Sequence, residues 1–510
     1  MDPDFQDSPL KYGPFQLGES EELENHDFDD SPLKYGPFQL GESEELENYE
    51  PGGFHPVHLG DVYHDHYRVV HKLGYGGFST VWLARDTTTN RWVALKIVEA
   101  RESPTYHDRS VIASHPSVAA SRLFVVPDQQ FWIDGPNGRH VCFVLPVLGP
   151  DLSKLSKYCY SRLKPAFARE LSLQAAQALV QLHSNGLCHG DLTASNMALR
   201  LVDEFDSYEE SDLFELFGRP RTSPLLTYSG KPPEPHGPEY IVVPLDFCSS
   251  ATNVLSGEIC IFDFDQSFMT TGPPPERPGI PAQYMAPEVA VGGASSPASD
   301  IWALGCAIFR IRSGEDIFFD YDTYQPAAAL QQIVKTVGEL PEEWKHIKFD
   351  EDGIAVVDGE GEEVDWSVPE KRPLGVRVRD IMEEPPSMFI NYSGEAVEAT
   401  VEVPKPAMSY YDDGSGEAYS AAFSSMLWQP VAVSVDGHYL LDSFIPDSDG
   451  WNGRDRIIKA FPRISEPEAA MLVELLSRIF TYDPATRLKA EELVTHPWFH
   501  LAATSEKGAA

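Results

Sequence analysis

Apolar residues in the first third of this chain come in short runs separated by turn-forming residues. Between Tyr67 and Leu145 these runs are rich in β-branched and aromatic side chains, which is typical of antiparallel strands joined by tight turns. The segment 93–98 (Val-Ala-Leu-Lys-Ile-Val) is the clearest run, although a Lys stands within it. We therefore expect a twisted antiparallel sheet over this region.

Helical spacing follows. In the segment Phe167–Asn185 apolar residues recur every three or four positions, which predicts a helix that ends at Gly186. The recurring residues are Leu171, Ala175, Ala178, Leu179 and Leu182. Further helices are predicted over Ala469–Phe480 and Ala490–Thr495.

Two long stretches carry neither pattern. Residues 201–260 begin with a run of acidic residues and are Pro- and Gly-rich from Gly218 to Pro238, so we expect mostly a surface loop. A short strand is predicted within it at Ile241–Leu245. Residues 349–455 are rich in Asp, Glu, Gly and Pro and are expected to be irregular.

An exact repeat precedes the predicted sheet. Residues 7–25 recur as residues 30–48, with a period of 23. Two copies are too few for a solenoid, and Pro and Gly interrupt any helix, so residues 1–50 are predicted to form a disordered acidic tail. The alternative is a regulatory or docking tail in which Ser8 and Ser31, each followed by Pro, are phosphorylated.

Composition narrows the class of protein. The formal net charge is −40 over 510 residues, which disfavours nucleic acid and anionic membranes and favours basic partners, although solubility alone would also explain it. The six cysteines include no Cys-x-x-Cys pair, which argues against a zinc site or a disulfide scaffold. The sequence contains no recognisable secretory signal and no run of apolar residues long enough to span a bilayer, so a soluble intracellular protein is expected.

The segment 188–196 (Cys-His-Gly-Asp-Leu-Thr-Ala-Ser-Asn) carries the first chemical signal. Asp191 is followed five residues later by Asn196. In this arrangement an Asp accepts the proton of an attacking hydroxyl, while an Asn helps to hold a metal on nucleotide phosphates. The spacing alone also arises by chance in loops beside helices, so the neighbouring segments decide its meaning.

Two upstream features fit the same chemistry. The segment 73–82 (Leu-Gly-Tyr-Gly-Gly-Phe-Ser-Thr-Val-Trp) places spaced glycines between β-prone flanks, which lets backbone N–H groups approach phosphate closely. Lys96 lies within an apolar strand, and a buried ammonium there needs an anionic partner. The α- and β-phosphates of a nucleotide would supply that partner.

Further motifs follow downstream in a fixed order. They are Ile-Phe-Asp-Phe-Asp at 261–265, Met-Ala-Pro-Glu at 285–288, Asp-Ile-Trp-Ala-Leu-Gly at 300–305, Asp-Pro-Ala-Thr-Arg-Leu at 483–488 and His-Pro-Trp-Phe at 496–499. With them the chain resembles a eukaryotic protein kinase from about Tyr63 to Phe499. The segments 51–61 and 137–150 and the glycine turn are similar to the SR-protein kinases of the CMGC group, which phosphorylate serines in the Arg/Ser repeats of splicing factors.

The resemblance implies an α+β, two-lobed protein kinase fold, with a small antiparallel β lobe (51–146), a larger mainly helical lobe (147–500) and a short tail (501–510). It implies transfer of the ATP γ-phosphoryl group to Ser or Thr with Mg²⁺. Asp191, Lys96 and Asn196 would be catalytic, and Asn196 and Asp263 would hold the metal. The residues implied in nucleotide binding are Leu73, Gly74, Tyr75, Gly76, Gly77, Phe78, Ser79, Val81, Ala94, Lys96, Pro146 and Leu148.

The resemblance also carries expectations about partners and supporting residues. It implies a basic, Arg/Ser-rich protein substrate, a monomer without direct nucleic-acid or membrane binding, and residence in the cytoplasm and nucleus. Glu288 and Arg487 are expected to form a buried structural pair. Asp300 is expected to accept hydrogen bonds from backbone N–H groups of the catalytic loop.

Two departures from the family pattern concern the nucleotide phosphates. The short helix expected after Lys96 shows no obvious Glu to pair with it, and Asp108 is the best candidate. Thr193 stands where most serine/threonine kinases carry a Lys that contacts the γ-phosphate, and the loss of this cation should slow transfer.

Two further departures lie around the activation segment. Asp265 replaces the glycine of the Asp-Phe-Gly triplet, which removes a flexible hinge and adds negative charge near the metals. Gly190 replaces the Arg that binds an activation-loop phosphate in many kinases, so we expect no strict need for phosphorylation of Thr270 or Thr271.

These departures leave two alternatives to an active serine/threonine kinase. One is a pseudokinase or weakly active kinase that binds partners through its acidic surface. The other is a small-molecule phosphotransferase, suggested by the His-Gly-Asp order at 189–191. The motifs at 285–288 and 300–305, together with Arg487, favour a protein kinase over the second alternative.

Overall fold

A computed structural model describes most of the chain from residue 43 onwards. The described residues are 35–36, 40, 43–108, 115–156, 162–233, 235–248, 254–275, 278–319, 324–356, 361–367, 370–384, 388–391, 396–398, 426–428, 431–433, 439–441 and 462–501.

The small lobe is built on a six-stranded antiparallel sheet. Its strands are β1 (Val62–Tyr63), β2 (Tyr67–Gly76), β3 (Ser79–Asp86), β4 (Arg91–Val98), β5 (Gln129–Gly135) and β6 (Gly138–Pro146). Their spatial order is β1-β2-β3-β4-β6-β5. Strand alternation places Val69, Leu95 and Val144 in one apolar core. The predicted antiparallel sheet is confirmed.

Two short helices connect β4 to β5. They are α1 (Ser103–Asp108) and α2 (Pro116–Ala119). The hydroxyl of Ser103 fixes the start of α1, because it donates to the Glu99 carbonyl at 2.7 Å and accepts the Val141 N–H at 2.9 Å. The helix expected after Lys96 is therefore present, but it is only six residues long.

The large lobe is mainly helical. Its helices are α3 (Leu152–Leu155), α4 (Pro165–Ser184), α5 (Glu210–Phe217), α6 (Pro287–Ala290), α7 (Pro297–Ser313), α8 (Pro326–Thr336), α9 (Leu374–Arg379), α10 (Glu466–Ile479) and α11 (Ala490–Leu493). The helices predicted from apolar spacing correspond to α4, α10 and α11 and are confirmed within a few residues. Proline at the first turn starts α4, and Gly186 follows its end with a φ of +70°.

Short strands complete this lobe. They are β7 (Leu148–Asp151), β8 (Arg162–Leu163), β9 (Leu187–Cys188), β10 (Met197–Leu201), β11 (Thr222–Pro224), β12 (Tyr240–Val242), β13 (Leu255–Ile261), β14 (Phe268–Met269), β15 (Lys348–Phe349), β16 (Ala355–Val356), β17 (Glu362–Glu363), β18 (Met388–Asn391), β19 (Ala396–Glu398), β20 (Leu427–Trp428), β21 (Val431–Val433) and β22 (Tyr439–Leu441). The stretch 349–455, expected to be irregular, thus contains α9 and several of these strands. None of the helices in the described part of the chain is long and apolar enough to cross a bilayer.

A buried charge cluster joins the helices of the large lobe. Arg312 on α7 donates to Glu468 on α10 at 2.8 Å and to Glu383 at 2.6 Å. Glu468 is also 3.1 Å from Arg169 on α4. Because Arg312, Glu468 and Arg169 are buried, removing one of them would leave its partner without a compensating charge in the core.

The expectation that residues 201–260 form mostly a surface loop is only partly correct for the part of this stretch that the structure describes. It contains α5, β11 and β12. Val242 of β12 lies in the core of the small lobe, within the strand that the sequence predicts at Ile241–Leu245.

Backbone groups of this insertion also bond to the sheet of the small lobe. The Trp92 indole N–H donates to the Tyr208 carbonyl at 2.8 Å. The Leu245 N–H donates to the Lys72 carbonyl at 2.8 Å. The insertion therefore packs against the small lobe through hydrogen bonds as well as apolar burial.

The predicted disordered tail also needs a correction at its end. Residues 1–34, 37–39 and 41–42 lie outside the described residues, but residues 43–50 are packed against the small lobe. Glu44 and Lys72 form an ion pair in which both side chains are at most 1% exposed, and the Tyr49 hydroxyl donates to Glu44 at 2.6 Å. The second copy of the repeat thus supplies the carboxylate for a buried ammonium on β2.

Five of the six cysteines lie within the described residues. Cys142, Cys188, Cys248, Cys260 and Cys306 are free and buried, as expected of small apolar side chains. Cys159 lies outside the described residues.

Replacing Glu44 with Gln should lower the free energy of unfolding by about 3 kcal/mol, because the Lys72 ammonium would stay buried without a carboxylate. Glu21 occupies the same place in the first copy of the repeat, so Glu21→Gln is a matched control that should leave stability unchanged. Urea unfolding of both variants measures the difference.

Removing the second charge tests the cause of that loss. Adding Lys72→Met to Glu44→Gln should recover much of the stability, because no unpaired charge then remains in the core. Coincident unfolding curves for Glu44→Gln and Glu21→Gln would contradict a stabilising role of the buried pair.

Candidate active site

The catalytic loop runs from β9 to β10 and is closed by a hydrogen-bonded turn. A short 3₁₀ helix, Ala194–Asn196, ends the loop. The side-chain N–H groups of Asn196 donate to the Asp191 carbonyl at 2.8 Å and to its carboxylate Oδ2 at 2.9 Å. The two predicted site residues are thereby held together, and Oδ1 of Asn196 is the atom left for a metal.

Asp300, near the start of α7, anchors the other side of the loop. Its carboxylate accepts the N–H of His189 at 2.8 Å and the N–H of Gly190 at 3.0 Å. The ring of His183 contributes a third contact at 3.1 Å. The expectation that Asp300 accepts backbone N–H groups of the catalytic loop is confirmed.

His189 connects the loop to the residue before the predicted metal-binding Asp263. Its Nδ1 accepts the Asp191 N–H at 3.2 Å, and its Nε2 donates to the Phe262 carbonyl at 3.1 Å. These bonds fix one neutral tautomer. Burial lowers the pKa of His189, although the charge of Asp300 acts in the opposite direction.

The segment after β13 presents two carboxylates. Asp263 has a left-handed backbone with φ 63° and ψ 66°, and the turn Phe264–Gln266 follows it. The Phe264 ring is buried against the rings of Phe124 and His189, with centroid distances of 5.9 and 4.9 Å. This packing fixes the turn and therefore the positions of Asp263 and Asp265 on either side of Phe264.

Lys96 of β4 points at both carboxylates. Its Nζ lies 2.6 Å from Asp263 Oδ1 and 3.3 Å from Asp265 Oδ2. Burial alone would lower the pKa of Lys96, but the two carboxylates outweigh burial and raise the pKa above its ordinary value. Burial raises the pKa of Asp265, and the neighbouring charge of Asp263 raises it further, although Lys96 acts in the opposite direction.

Asp191 lies in a different electrostatic environment. Burial raises its pKa to about 7, although the hydrogen bond from Asn196 acts in the opposite direction, and the charges of Asp263, Asp265 and Asp300 raise it further. Its Oδ1 is buried and makes no hydrogen bond to the described residues. A carboxylate with a raised pKa and a free oxygen is suited to accept a proton from a substrate hydroxyl.

The glycine turn joins β2 to β3. A Cβ added at Gly74 or Gly77 would meet nothing within 4 Å, and neither residue has a positive φ. The fold therefore does not require glycine at these two positions. The open space over this turn leaves room for a ligand to approach the backbone.

The predicted adenine site lies where the two lobes join. Ala94 on β4 pairs with Leu145 on β6, while Pro146 ends β6 and Leu148 begins β7. The structure places the remaining residues predicted to bind nucleotide on β2, β3 and the turn between them, and their roles remain predictions. These residues are Leu73, Tyr75, Gly76, Phe78, Ser79 and Val81.

The donor set fits magnesium. Asp263 and Asn196 offer hard oxygen ligands, which Mg²⁺ prefers, and the Phe262 N–H donates to the Asn196 carbonyl at 3.0 Å. This bond holds the strand before Asp263 beside the end of the catalytic loop. The two predicted metal ligands thus lie on hydrogen-bonded segments.

A buried pair ties the activation segment to the large lobe, as expected. Arg487 donates to both oxygens of Glu288, at 2.7 and 2.9 Å. The same guanidinium reaches the carbonyls of Ala298 and Thr481 at 2.7 and 2.8 Å. The pair therefore has a structural role.

Gly190 is required by the backbone. It has a φ of +79°, and a Cβ there would lie 2.4 Å from the Gln266 carbonyl oxygen. An Arg at this position would therefore clash with the activation segment. Thr270 and Thr271 are exposed, and Thr270 N–H donates to the Gly186 carbonyl at 2.8 Å.

The sequence does not predict the contact between Asp265 and Lys96. Asp265 stands where the resemblance implies a glycine, and the structure places its carboxylate beside the Lys96 ammonium. The predicted helix partner, Asp108, ends α1, and its side chain lies outside the described part of the chain. Thr193, which stands where the resemblance implies a Lys, is buried.

Most of this sequence matches a known protein family. The protein kinase domain family matches residues 67–205 and 251–499. The interruption coincides with most of the insertion at 201–260. The match thus includes Lys96, the catalytic loop and both carboxylates of the activation segment.

Individual proteins are also similar in sequence to this chain. The chain is 30% identical to "Serine/threonine-protein kinase SRPK" of Physarum polycephalum over 327 residues, 58% of this chain and 72% of that protein. It is 37% identical to "Serine/threonine-protein kinase spk-1" of Caenorhabditis elegans over 165 residues, 31% of this chain. It is 38% identical to human "SRSF protein kinase 3" over 166 residues, also 31% of this chain.

Coverage of these relatives is uneven. The aligned part spans 16% of the nematode protein and 29% of the human protein. Similarity to these two therefore concerns a segment of each protein.

Replacing Gly190 with Ala should destabilise the protein by about 1–3 kcal/mol, because the side chain meets the Gln266 carbonyl and a positive φ disfavours it. Gly77→Ala is the matched control, since a Cβ there meets nothing within 4 Å. Thermal melts of both variants without nucleotide check the difference. A melting temperature of Gly190→Ala equal to that of Gly77→Ala would contradict the close approach.

Proposed function

The chain belongs to the protein kinase family, within it to the SR-protein-kinase-like serine/threonine kinases, and on this premise we propose that it phosphorylates basic, Arg/Ser-rich proteins. The phosphoryl donor is ATP, and the acceptor is a Ser or Thr hydroxyl. Splicing factors with Arg/Ser repeats are the substrate class that fits.

The observation that carries this proposal is the convergence of four side chains. Lys96 from the small lobe lies 2.6 Å from Asp263, and Asp191 is bonded to Asn196 at 2.9 Å. The Phe262 N–H joins the two groups through the Asn196 carbonyl at 3.0 Å. Phosphoryl transfer requires a phosphate-binding cation, metal-binding oxygens and a base within one cleft.

Each residue then has a separate task. Asp191 orients the acceptor hydroxyl and takes its proton at the free Oδ1. Lys96 holds the α- and β-phosphates, and the backbone of the glycine turn covers them. Asn196 and Asp263 would hold Mg²⁺, which when bound supplies positive charge against the phosphate oxygens.

The substrate proposal rests on charge and on the relatives. The formal net charge is −40, which favours encounter with basic proteins. Carboxylates form short, charge-assisted hydrogen bonds with arginine, so an Arg/Ser repeat would be held along an acidic surface. The name of the human relative, "SRSF protein kinase 3", agrees with this class of substrate.

The same reasoning extends to partners and location. We propose a monomer that acts in the cytoplasm and nucleus, binds its protein substrate directly, and makes no direct contact with nucleic acid or membrane. The enzyme class proposed is that of nonspecific serine/threonine protein kinases.

Wild-type protein should incorporate phosphate from Mg·ATP into an Arg/Ser-repeat peptide, and Asp191→Ala should lower the rate by about a thousandfold because the base is lost. Incorporation of radioactive phosphate into the peptide measures both. A peptide in which each Arg is replaced by Gln is the control for charge and should be a poorer substrate.

Two results would count against this proposal. Equal phosphorylation of the Arg and Gln peptides would remove the substrate assignment. No incorporation by the wild type, with Mg·ATP still raising the melting temperature, would identify a nucleotide-binding pseudokinase.

Activity should not depend on a phosphate in the activation segment. Thr270→Asp should change the transfer rate by no more than about twofold, since Gly190 provides no cation to bind the added charge. Thr270→Ala serves as the control. A large rise in rate for Thr270→Asp, or after phosphorylation of Thr271, would contradict this prediction.

A further inference from the structure

Two carboxylates contact the single ammonium of Lys96. Its Nζ contacts Asp263 at 2.6 Å and Asp265 at 3.3 Å, and its side chain is only 18% exposed. A buried ammonium needs at least one lasting anionic partner to keep its charge and its position.

Helix α1 brings an aromatic ring close to Lys96. The Tyr106 ring lies 5.4 Å from Lys96 Nζ. Glu99, just before α1, is buried and lies 3.6 Å from Arg101, so it is engaged elsewhere. Residues 109–114 contain no Asp or Glu.

Asp263 is also a predicted metal ligand. Lys96 contacts its Oδ1, and a carboxylate can bind a metal and an ammonium at the same time, but a bound Mg²⁺ would share the negative charge of Asp263 with Lys96 and weaken that attraction. Asp265 lies within the turn Phe264–Gln266 and keeps its own contact with Lys96.

We infer that Asp265 is a positioning residue that replaces a helix glutamate and holds the Lys96 ammonium in place for the nucleotide phosphates. The buried Phe264 ring fixes the turn that carries Asp265. The Lys96 partner therefore comes from the activation segment. This inference rests on the proposed function for the role of Lys96.

A double-mutant cycle on nucleotide affinity tests it without any phosphoryl transfer. Calorimetry gives the Kd of Mg·ATP for the wild type, Asp265→Asn, Lys96→Met and the double variant. Asp265→Asn should weaken binding about tenfold, because Lys96 loses one of its two charged hydrogen bonds. In the Lys96→Met background the same change should have no further effect.

Two companion variants complete the experiment. Asp265→Glu keeps the charge and should restore most of the affinity lost in Asp265→Asn. Asp108→Asn tests the acid at the end of α1, and Glu102→Gln is a neutral control from the same connection; neither should be coupled to Lys96. Thermal melts without nucleotide confirm that each variant is folded.

Several outcomes would overturn the inference. Equal losses for Asp265→Asn with and without Lys96 would show that Asp265 acts independently of Lys96. Such losses that also change the Mg²⁺ concentration dependence of binding would make it a metal ligand. Coupling of Asp108→Asn to Lys96→Met would return the role to α1.

Different results would contradict the proposed function. Wild-type protein that binds Mg·ATP but phosphorylates no Arg/Ser peptide would remove the kinase activity and leave the cycle to decide about Asp265. Absence of nucleotide binding by the wild type would overturn both proposals.

Discussion

A cation buried in a protein interior requires a carboxylate partner, and this requirement determines how distant parts of the chain come together here. Lys96 on the small lobe needs an acid, and the structure supplies Asp263 and Asp265 from a segment that follows the catalytic loop. The ion pair thereby bridges the two lobes at the site of the proposed chemistry. Other buried pairs join the terminal segments and the helices in the same way: Lys72 with Glu44, Arg312 with Glu468, and Arg487 with Glu288.

The sequence is sufficient for elements whose pattern is local. The helix α4 and the strand β4 are predictable because apolar spacing and a nearby glycine or turn determine them within a few residues. The packing of residues 43–50 is not, because the acidic composition of the repeat favours solvent exposure. Glu44 becomes a core residue only when Lys72, in a strand that follows it, provides the opposite charge. Apart from the strand predicted at Ile241–Leu245, the packing of the insertion at 201–260 could not be predicted for the same reason, since its burial depends on contacts with the sheet.

The same limit on prediction from the sequence applies to the candidate site. The order of the motifs is enough to select Asp191, Asn196 and Lys96, because each has a fixed chemical task in phosphoryl transfer. The neighbours of Lys96 cannot be predicted from the sequence, because the contact between β4 and the activation segment is a tertiary contact. The sequence does mark Asp265 as a residue that breaks the family pattern. Such a break in a local rule is expected where a functional group has been rearranged.

The departures at Gly190 and Asp265 also have related structural causes. Gly190 lies under the Gln266 carbonyl with a positive φ, so the loop has no space for an arginine that would respond to a phosphate. The activation segment is instead held by contacts that need no modification: β14 pairs with β9, and Phe264 packs on His189. Because Asp265 lies in that same turn, whatever fixes the turn also fixes the partner of Lys96. A site held this way would be assembled as the chain folds, which favours constitutive activity over activation by phosphorylation.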